Sequence, residues 1–189
     1  MQVKGLSSEL VELRSVEDVE LATIHKHHKR EFRLELSEFL NLDLLWAPLG
    51  QAQIKAKIDE KQKEERSTLF SIWSKNNEFV GLGYFTAGWD PWCPFIDVIV
   101  WPEFRRKGYG TETVRLLLEA AFENSIAHVI ECSAPDWNPA GLAFAEHLGF
   151  KRAGSSRRSG IIDGKFFDRL FFDMLRDEYL AGRAKKAGE

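Results

Sequence analysis

The stretch Trp101-Pro102-Glu103-Phe104-Arg105-Arg106-Lys107-Gly108-Tyr109-Gly110-Thr111 follows an apolar, β-branched run, Phe95 to Trp101, and leads into a segment with helical periodicity. In that segment Val114, Leu117, Leu118, Ala121 and Phe122 fall at i, i+3, i+4, i+7 and i+8. This spacing predicts a helix over Gly110–Asn124. A strand that turns directly into a helix presents the first helical N–H groups without intrahelical acceptors. Those donors and the positive end of the helix dipole favour an anion. Glycine lets the backbone approach a ligand closely, and Arg105, Arg106 and Lys107 add charge beside it. The turn therefore predicts a pyrophosphate site; a tight turn whose basic residues face water is the competing account. Two common nucleotide loops are excluded. No lysine stands between Gly110 and Thr111 as a Walker loop requires, and Thr113 occupies the third glycine position of a dinucleotide fingerprint.

Working outward, Thr68–Ser74, Phe79–Thr86 and Phe95–Trp101 read as three strands joined by short turns. His128–Ser133 is a short apolar strand. Asn138 and Pro139 are an N-cap and a first-turn proline for a helix that stops at Gly149. Lys151–Arg158 and Phe166–Leu175 close the sheet. Before the turn, Leu10–Arg14 reads as a strand, and Ser15 with Asp18 has capping-box spacing for a helix reaching His25, His27 and His28. A second helix covers Leu34–Leu40, and Leu45–Leu49 reads as a loop or helix start. Lys55–Arg66 is charged around a thin stripe of Ile54 and Ile58, as expected of an exposed helix packed along one edge. The order predicts one mixed α/β domain.

Composition narrows the function classes. The 189 residues suffice for one core, and 14 Phe with 6 Trp exclude a disordered chain. Net charge is −3, which argues against binding a polyanion through bulk charge. Only Cys93 and Cys132 are present, too few for a disulfide framework or a cysteine-rich zinc module. Neither a signal peptide nor an apolar run near the ~18 residues of a membrane span is visible, so a cytoplasmic protein is expected. The His25, His27, His28 cluster is read as a solvated basic face rather than a metal site, since Lys26, Lys29 and Arg30 repel a cation. No metal is expected.

Arg105-x-x-Gly108-x-Gly110 resembles the Gln/Arg-x-x-Gly-x-Gly/Ala signature of the GNAT N-acetyltransferase superfamily. Asn138-Pro139-Ala140-Gly141-Leu142-Ala143-Phe144-Ala145-Glu146-His147-Leu148-Gly149-Phe150 is similar to that family's Asn-led helix ending in Leu-Gly-Phe, one helix and one strand downstream. The segment Asp163–Asp168 is similar, more weakly, to the branch of ribosomal-protein alanine acetyltransferases. The resemblance covers about residues 68–175, with 1–67 as acceptor-side helices of one domain spanning 1–189. It implies the GNAT fold: a mixed, mostly antiparallel twisted sheet of six to seven strands flanked by helices, with two parallel strands splayed at the cofactor site.

The resemblance further implies acetyl transfer from acetyl-CoA to a primary amine, either a small molecule or a protein N-terminus, by direct attack in a ternary complex. Backbone near Val98 and Val100 would pair with the pantetheine arm, and the amide near Val98 would polarise the thioester carbonyl. Arg105, Arg106, Lys107, Gly108, Tyr109, Gly110 and Thr111 would hold the pyrophosphate, and Asn138 would reach the cofactor, cap its helix, or do both. The tyrosine used as acid by many relatives is replaced by Ala145. Asp97 and Glu131, one on each splayed strand, are candidate bases; each is also an ordinary strand carboxylate. Trp46, Trp89 and Trp92 are candidates for the acceptor pocket or for core packing. A homodimer is compatible with the resemblance. The rival expectations are a catalytically silent acyl-CoA-binding module, kept open by Ala145, and a nucleic-acid-binding domain using Arg105–Lys107 with Arg152, Arg157 and Arg158.

Overall fold

A computed structural model describes residues 6–29, 33–42, 48–88 and 90–187. They group into two compact units, Met1–Thr86 with Asp97–Leu117, and Ala87–Ile96 with Leu118–Glu189. Seven strands are hydrogen-bonded in the order β1-β2-β3-β4-β5-β7-β6, where β1 is Val11–Ser15, β2 Ser67–Ser74, β3 Phe79–Thr86, β4 Phe95–Val100, β5 Val129–Pro135, β6 Lys151–Ile162 and β7 Lys165–Leu175. β4 and β5 are parallel, and their ladder holds the pair Phe95 opposite Glu131. This is the mixed, mostly antiparallel sheet expected from the sequence.

In the first unit β1, β2 and β3 form an antiparallel meander, with Leu13 opposite Ile72 and Ile72 opposite Gly81. Three helices, α1 (Leu21–His28), α2 (Arg33–Phe39) and α3 (Gln51–Lys63), bury one face against it. Ile24, Leu36, Ile54 and Ile58 from the helices share one core with Leu69, Leu82, Ile99 and Trp101 from the sheet. Trp101 is completely buried, so truncating it to alanine would cost about 3–5 kcal/mol. The Ser15 cap is corrected: Ser15 is the last residue of β1, paired with Phe70, and so is held in the sheet. Glu17 takes the capping position instead, its N–H donating to Glu20 Oε2 at 3.0 Å, before a single 3-10 turn over Asp18–Glu20. α3 begins earlier than expected, where the Gly50 N–H donates to Gln53 Oε1 at 2.9 Å.

The second unit holds the end of α4 (Tyr109–Asn124), α5 (Pro139–His147) and a C-terminal α6 (Arg176–Ala187) beside β5, β7 and β6. α5 starts and stops as its sequence predicts. Asn138 Oδ1 accepts the Gly141 N–H at 3.0 Å, and Gly149 takes φ +93°, which an L side chain resists. The closing hairpin is longer than the sequence suggests because Asp163 (φ +51°) and Gly164 (φ +75°) form an Asp-Gly turn whose twist matches the strands. α6 was not anticipated; Tyr179 anchors it, its ring 5.0 Å from that of Phe122. No helix among the described residues is long and apolar enough to cross a membrane.

Candidate active site

The expected turn forms as one strand–turn–helix unit within the first unit. Pro102–Phe104 make a single 3-10 turn, Arg105 is extended, and Arg106 and Gly108 both adopt left-handed backbone, φ +62° and +85°. Gly108 suits the turn by its positive φ, while a Cβ there would lie 3.3 Å from Cδ2 of the exposed Leu10, a side chain free to give way. The Glu112 N–H donates to the Gly108 carbonyl at 3.0 Å, the first i to i−4 bond of α4. The N–H groups of Tyr109, Gly110 and Thr111 precede that bond and point out of the helix start, where the dipole is positive. Arg106 and Lys107 are exposed beside them. Glu112 does not cancel this field fully: Arg115 grips its carboxylate at 2.8 and 3.0 Å and lowers its pKa.

Arg105 has a more specific role than added charge. Its Nε donates to the Val100 carbonyl at 3.1 Å, and its guanidinium lies 3.7 Å from Glu35, so it ties the turn to β4 and α2. Lys107 Nζ lies 5.2 Å from the centre of the Phe104 ring.

Asp97 and Val98 stand earlier on β4. The Val98 N–H, the donor expected to polarise a carbonyl, donates to Asp97 Oδ1 at 2.8 Å. A group that sequence reasoning missed faces this strand. Tyr84 on β3 donates its hydroxyl to Glu64 Oε2 at 2.6 Å, and Lys61 of α3 places Nζ 4.0 Å from the centre of the Tyr84 ring. Burial lowers the Lys61 pKa below the ordinary lysine value, opposed by the attraction of Glu64 and Asp97. Burial and the Glu64 carboxylate raise the Tyr84 pKa. Position 61 continues the Ile54, Ile58 stripe by three residues, but a lysine on a charged helix does not announce its target until Tyr84 is placed beneath it.

The remaining expected residues belong to the second unit. Glu131 on β5 is bound by the Cys93 thiol, which burial and this carboxylate push up to about 12. Cys93 is thus held protonated and is no nucleophile at neutral pH. Asn138 caps α5, and Ala145 is buried and carries no proton donor. Trp92 is exposed, 5.7 Å from the His128 ring, while Trp46 and Trp89 lie outside the described residues.

The histidine cluster is corrected. His27 and His28 are buried rather than solvated, because α1 turns them into the core. His27 stacks on Trp101 at 4.4 Å with an 8° tilt, and His28 Nε2 lies 3.3 Å from Ser37 Oγ.

A model of the acetyltransferase (GNAT) family matches residues 23–150. The chain belongs to the GNAT acetyltransferase family. It is 22% identical over 152 residues to the SPbeta prophage-derived uncharacterized N-acetyltransferase YokL of Bacillus subtilis (strain 168), covering 74% of this chain and 78% of that protein. Among solved structures it resembles an acetyltransferase (GNAT family) from Bacillus anthracis, with a TM-score of 0.74 at 16% identity over 91% of this chain and 98% of that one. It also resembles spermidine N-acetyltransferase from Vibrio cholerae in complex with CoA and spermine, with a TM-score of 0.73 at 18% identity over 92% and 99%. Acetyl transfer to an amine is the activity of this GNAT chain.

Proposed function

We propose that this chain transfers the acetyl group of acetyl-CoA to a primary alkylamine of the polyamine class, with Asp97 as the base. The observation that carries the reading is the juxtaposition, within one compact unit, of the donor-rich start of α4 and the Asp97–Val98 pair on β4. The residues present fit the cofactor: Gly108 has no side chain where its backbone turns left-handed, and Arg106, Lys107 and the N–H groups of Tyr109, Gly110 and Thr111 suit a pyrophosphate. When bound, acetyl-CoA supplies the activated acetyl thioester. Val98 and Val100 would hold its pantetheine arm through their backbone, and Arg105 keeps the Val100 carbonyl and the turn in register.

Asp97 then serves in two ways. Moving off the Val98 N–H would release that donor for the thioester carbonyl, and the freed carboxylate would take the proton of the attacking amine. Glu131 is the weaker candidate, because its carboxylate is already engaged by the Cys93 thiol. The acceptor class rests on chemistry near Asp97. Tyr84 offers an aromatic face and Glu64 a second carboxylate, the groups that hold an alkylammonium. The spermine bound by the Vibrio cholerae enzyme is consistent with this choice. Two free cysteines suit a reducing compartment such as the cytoplasm.

The test is thiol release from acetyl-CoA with spermine, spermidine, a simple monoamine, and a peptide with N-terminal alanine. Release driven by the polyamines supports the reading. Release with the peptide alone overturns the acceptor class. CoA binding without release for any amine overturns catalysis in favour of a silent acyl-CoA-binding module.

A further inference from the structure

On α3, Ile54, Ile58 and Lys61 lie at i, i+4 and i+7, one face of the helix. Ile54 and Ile58 are buried in the core that also holds Leu82 and Tyr84 of β3, Ile99 of β4 and Trp101 just after it. Lys61 extends that stripe onto the ring of Tyr84, with Nζ 4.0 Å from its centre. Its amine is half-buried, attracted by the charges of Glu64, Asp97 and Glu60 and repelled by that of Lys57. Two other lysines of α3 pair with carboxylates near the surface: Lys55 binds Asp18 and Asp59, and Lys57 binds Glu60. Lys61 is different. It is directed at the sheet, it is desolvated, and besides Glu60 and the α3 C-cap Glu64 it is attracted by the Asp97 carboxylate of β4, beside the Val98 N–H.

Resting on the reading above, we propose that Lys61 is itself an acetyl acceptor, so that in the absence of an external amine the enzyme acetylates its own α3. The Lys61 Nζ–acetyl carbon bond forms as the carbon–sulfur bond of acetyl-CoA breaks. The proton shed by Nζ passes through Asp97 to the departing sulfur, giving free CoA thiol and an uncharged N-acetyl-lysine. Desolvation supports the step by favouring the uncharged, nucleophilic amine over the ammonium. Lys61 thereby occupies the place of the alkylammonium that Tyr84, Glu64 and Asp97 are suited to hold.

The full chain is incubated with acetyl-CoA and no amine, and acetylated lysines are located and timed by mass spectrometry. Intramolecular placement predicts modification of Lys61 at least about tenfold faster than of Lys63 on the same helix, at a first-order rate independent of protein concentration. Spermine should protect Lys61, and Asp97→Asn should slow its modification about a hundredfold. Lys61→Arg should remove the adduct while CoA affinity, read by calorimetry, stays unchanged. Equal rates at Lys61 and Lys63, a rate that rises with protein concentration, or indifference to Asp97→Asn each overturns the proposal. If spermine-dependent thiol release proceeds while Lys61 stays unmodified, this inference falls and the proposed function stands. Failure to bind CoA at all overturns both.

Discussion

The Asp97 carboxylate accepts a hydrogen bond from the backbone N–H of the next residue, Val98, at 2.8 Å. Two groups needed for acetyl transfer, a base and a carbonyl-polarising donor, thus satisfy one another at rest. Two substitutions separate their roles. Asp97→Asn keeps an acceptor for the Val98 N–H but cannot take a proton, and Asp97→Ala frees the N–H altogether. If Asp97 is the base, both variants lose about a hundredfold in kcat, the usual scale of general base catalysis. An Asp97→Ala enzyme as fast as the parent would mean that the carboxylate merely blocks the amide. Steady-state rates with a saturating amine decide between them.

Gly108 sits at φ +85° at the head of α4. Gly108→Ala should cost about 1–2 kcal/mol in urea unfolding, the penalty of a Cβ in left-handed backbone. Gly108→Asp adds a negative charge where the pyrophosphate is proposed to lie, and CoA affinity should fall at least about tenfold, or about 1.4 kcal/mol. Calorimetric titration with CoA reads this directly. An unchanged affinity would remove the pyrophosphate from the start of α4.

Most of the elements of both units were legible because their signals are local. The stripe from Val114 to Phe122 specifies α4, and Asn138 with Gly149 brackets α5, each through backbone chemistry within one turn. The turn at Arg105–Thr111 was legible for the same reason. What the sequence concealed depends on tertiary neighbours. Lys61 reads as one more charge on a charged helix until Tyr84 of a distant strand appears beneath it. His27 and His28 read as solvated because their neighbours Lys26 and Lys29 are basic, yet the helix phase turns the two imidazoles inward onto Trp101 and Ser37. The engagement of Val98 by Asp97 is a side-chain conformation, on which residue spacing is silent.

Asn138 caps α5 by accepting the Gly141 N–H at 3.0 Å. Replacing it by alanine leaves a helix-start donor unsatisfied and should cost about 1 kcal/mol. Asn138→Ser or Asn138→Asp should recover most of that loss, since either side chain can accept the same bond. Chemical denaturation of the three variants checks the order. Equal stability of the alanine variant and the parent would show that the cap contributes nothing.

His28 sets the expected acid limit of stability. Its ring is completely buried, Nε2 lies 3.3 Å from Ser37 Oγ, and Nδ1 finds no hydrogen-bond partner among the described residues. Burial, reinforced by Arg33 and His25, lowers its pKa below the ordinary value of 6.5, so the folded ring stays neutral where an unfolded one would take up a proton. The unfolded state therefore binds more protons as the pH falls below 6.5, and stability must fall with it. Above that value the His28 contribution is fully present. Below it the loss approaches about 1.4 kcal/mol per pH unit, until the folded ring also protonates. Urea unfolding across this range should show that slope in the parent. In His28→Gln, which can still bond to Ser37 but does not titrate, the slope should be shallower by up to that amount. The same slope in both proteins would show that the buried imidazole is protonated as readily folded as unfolded.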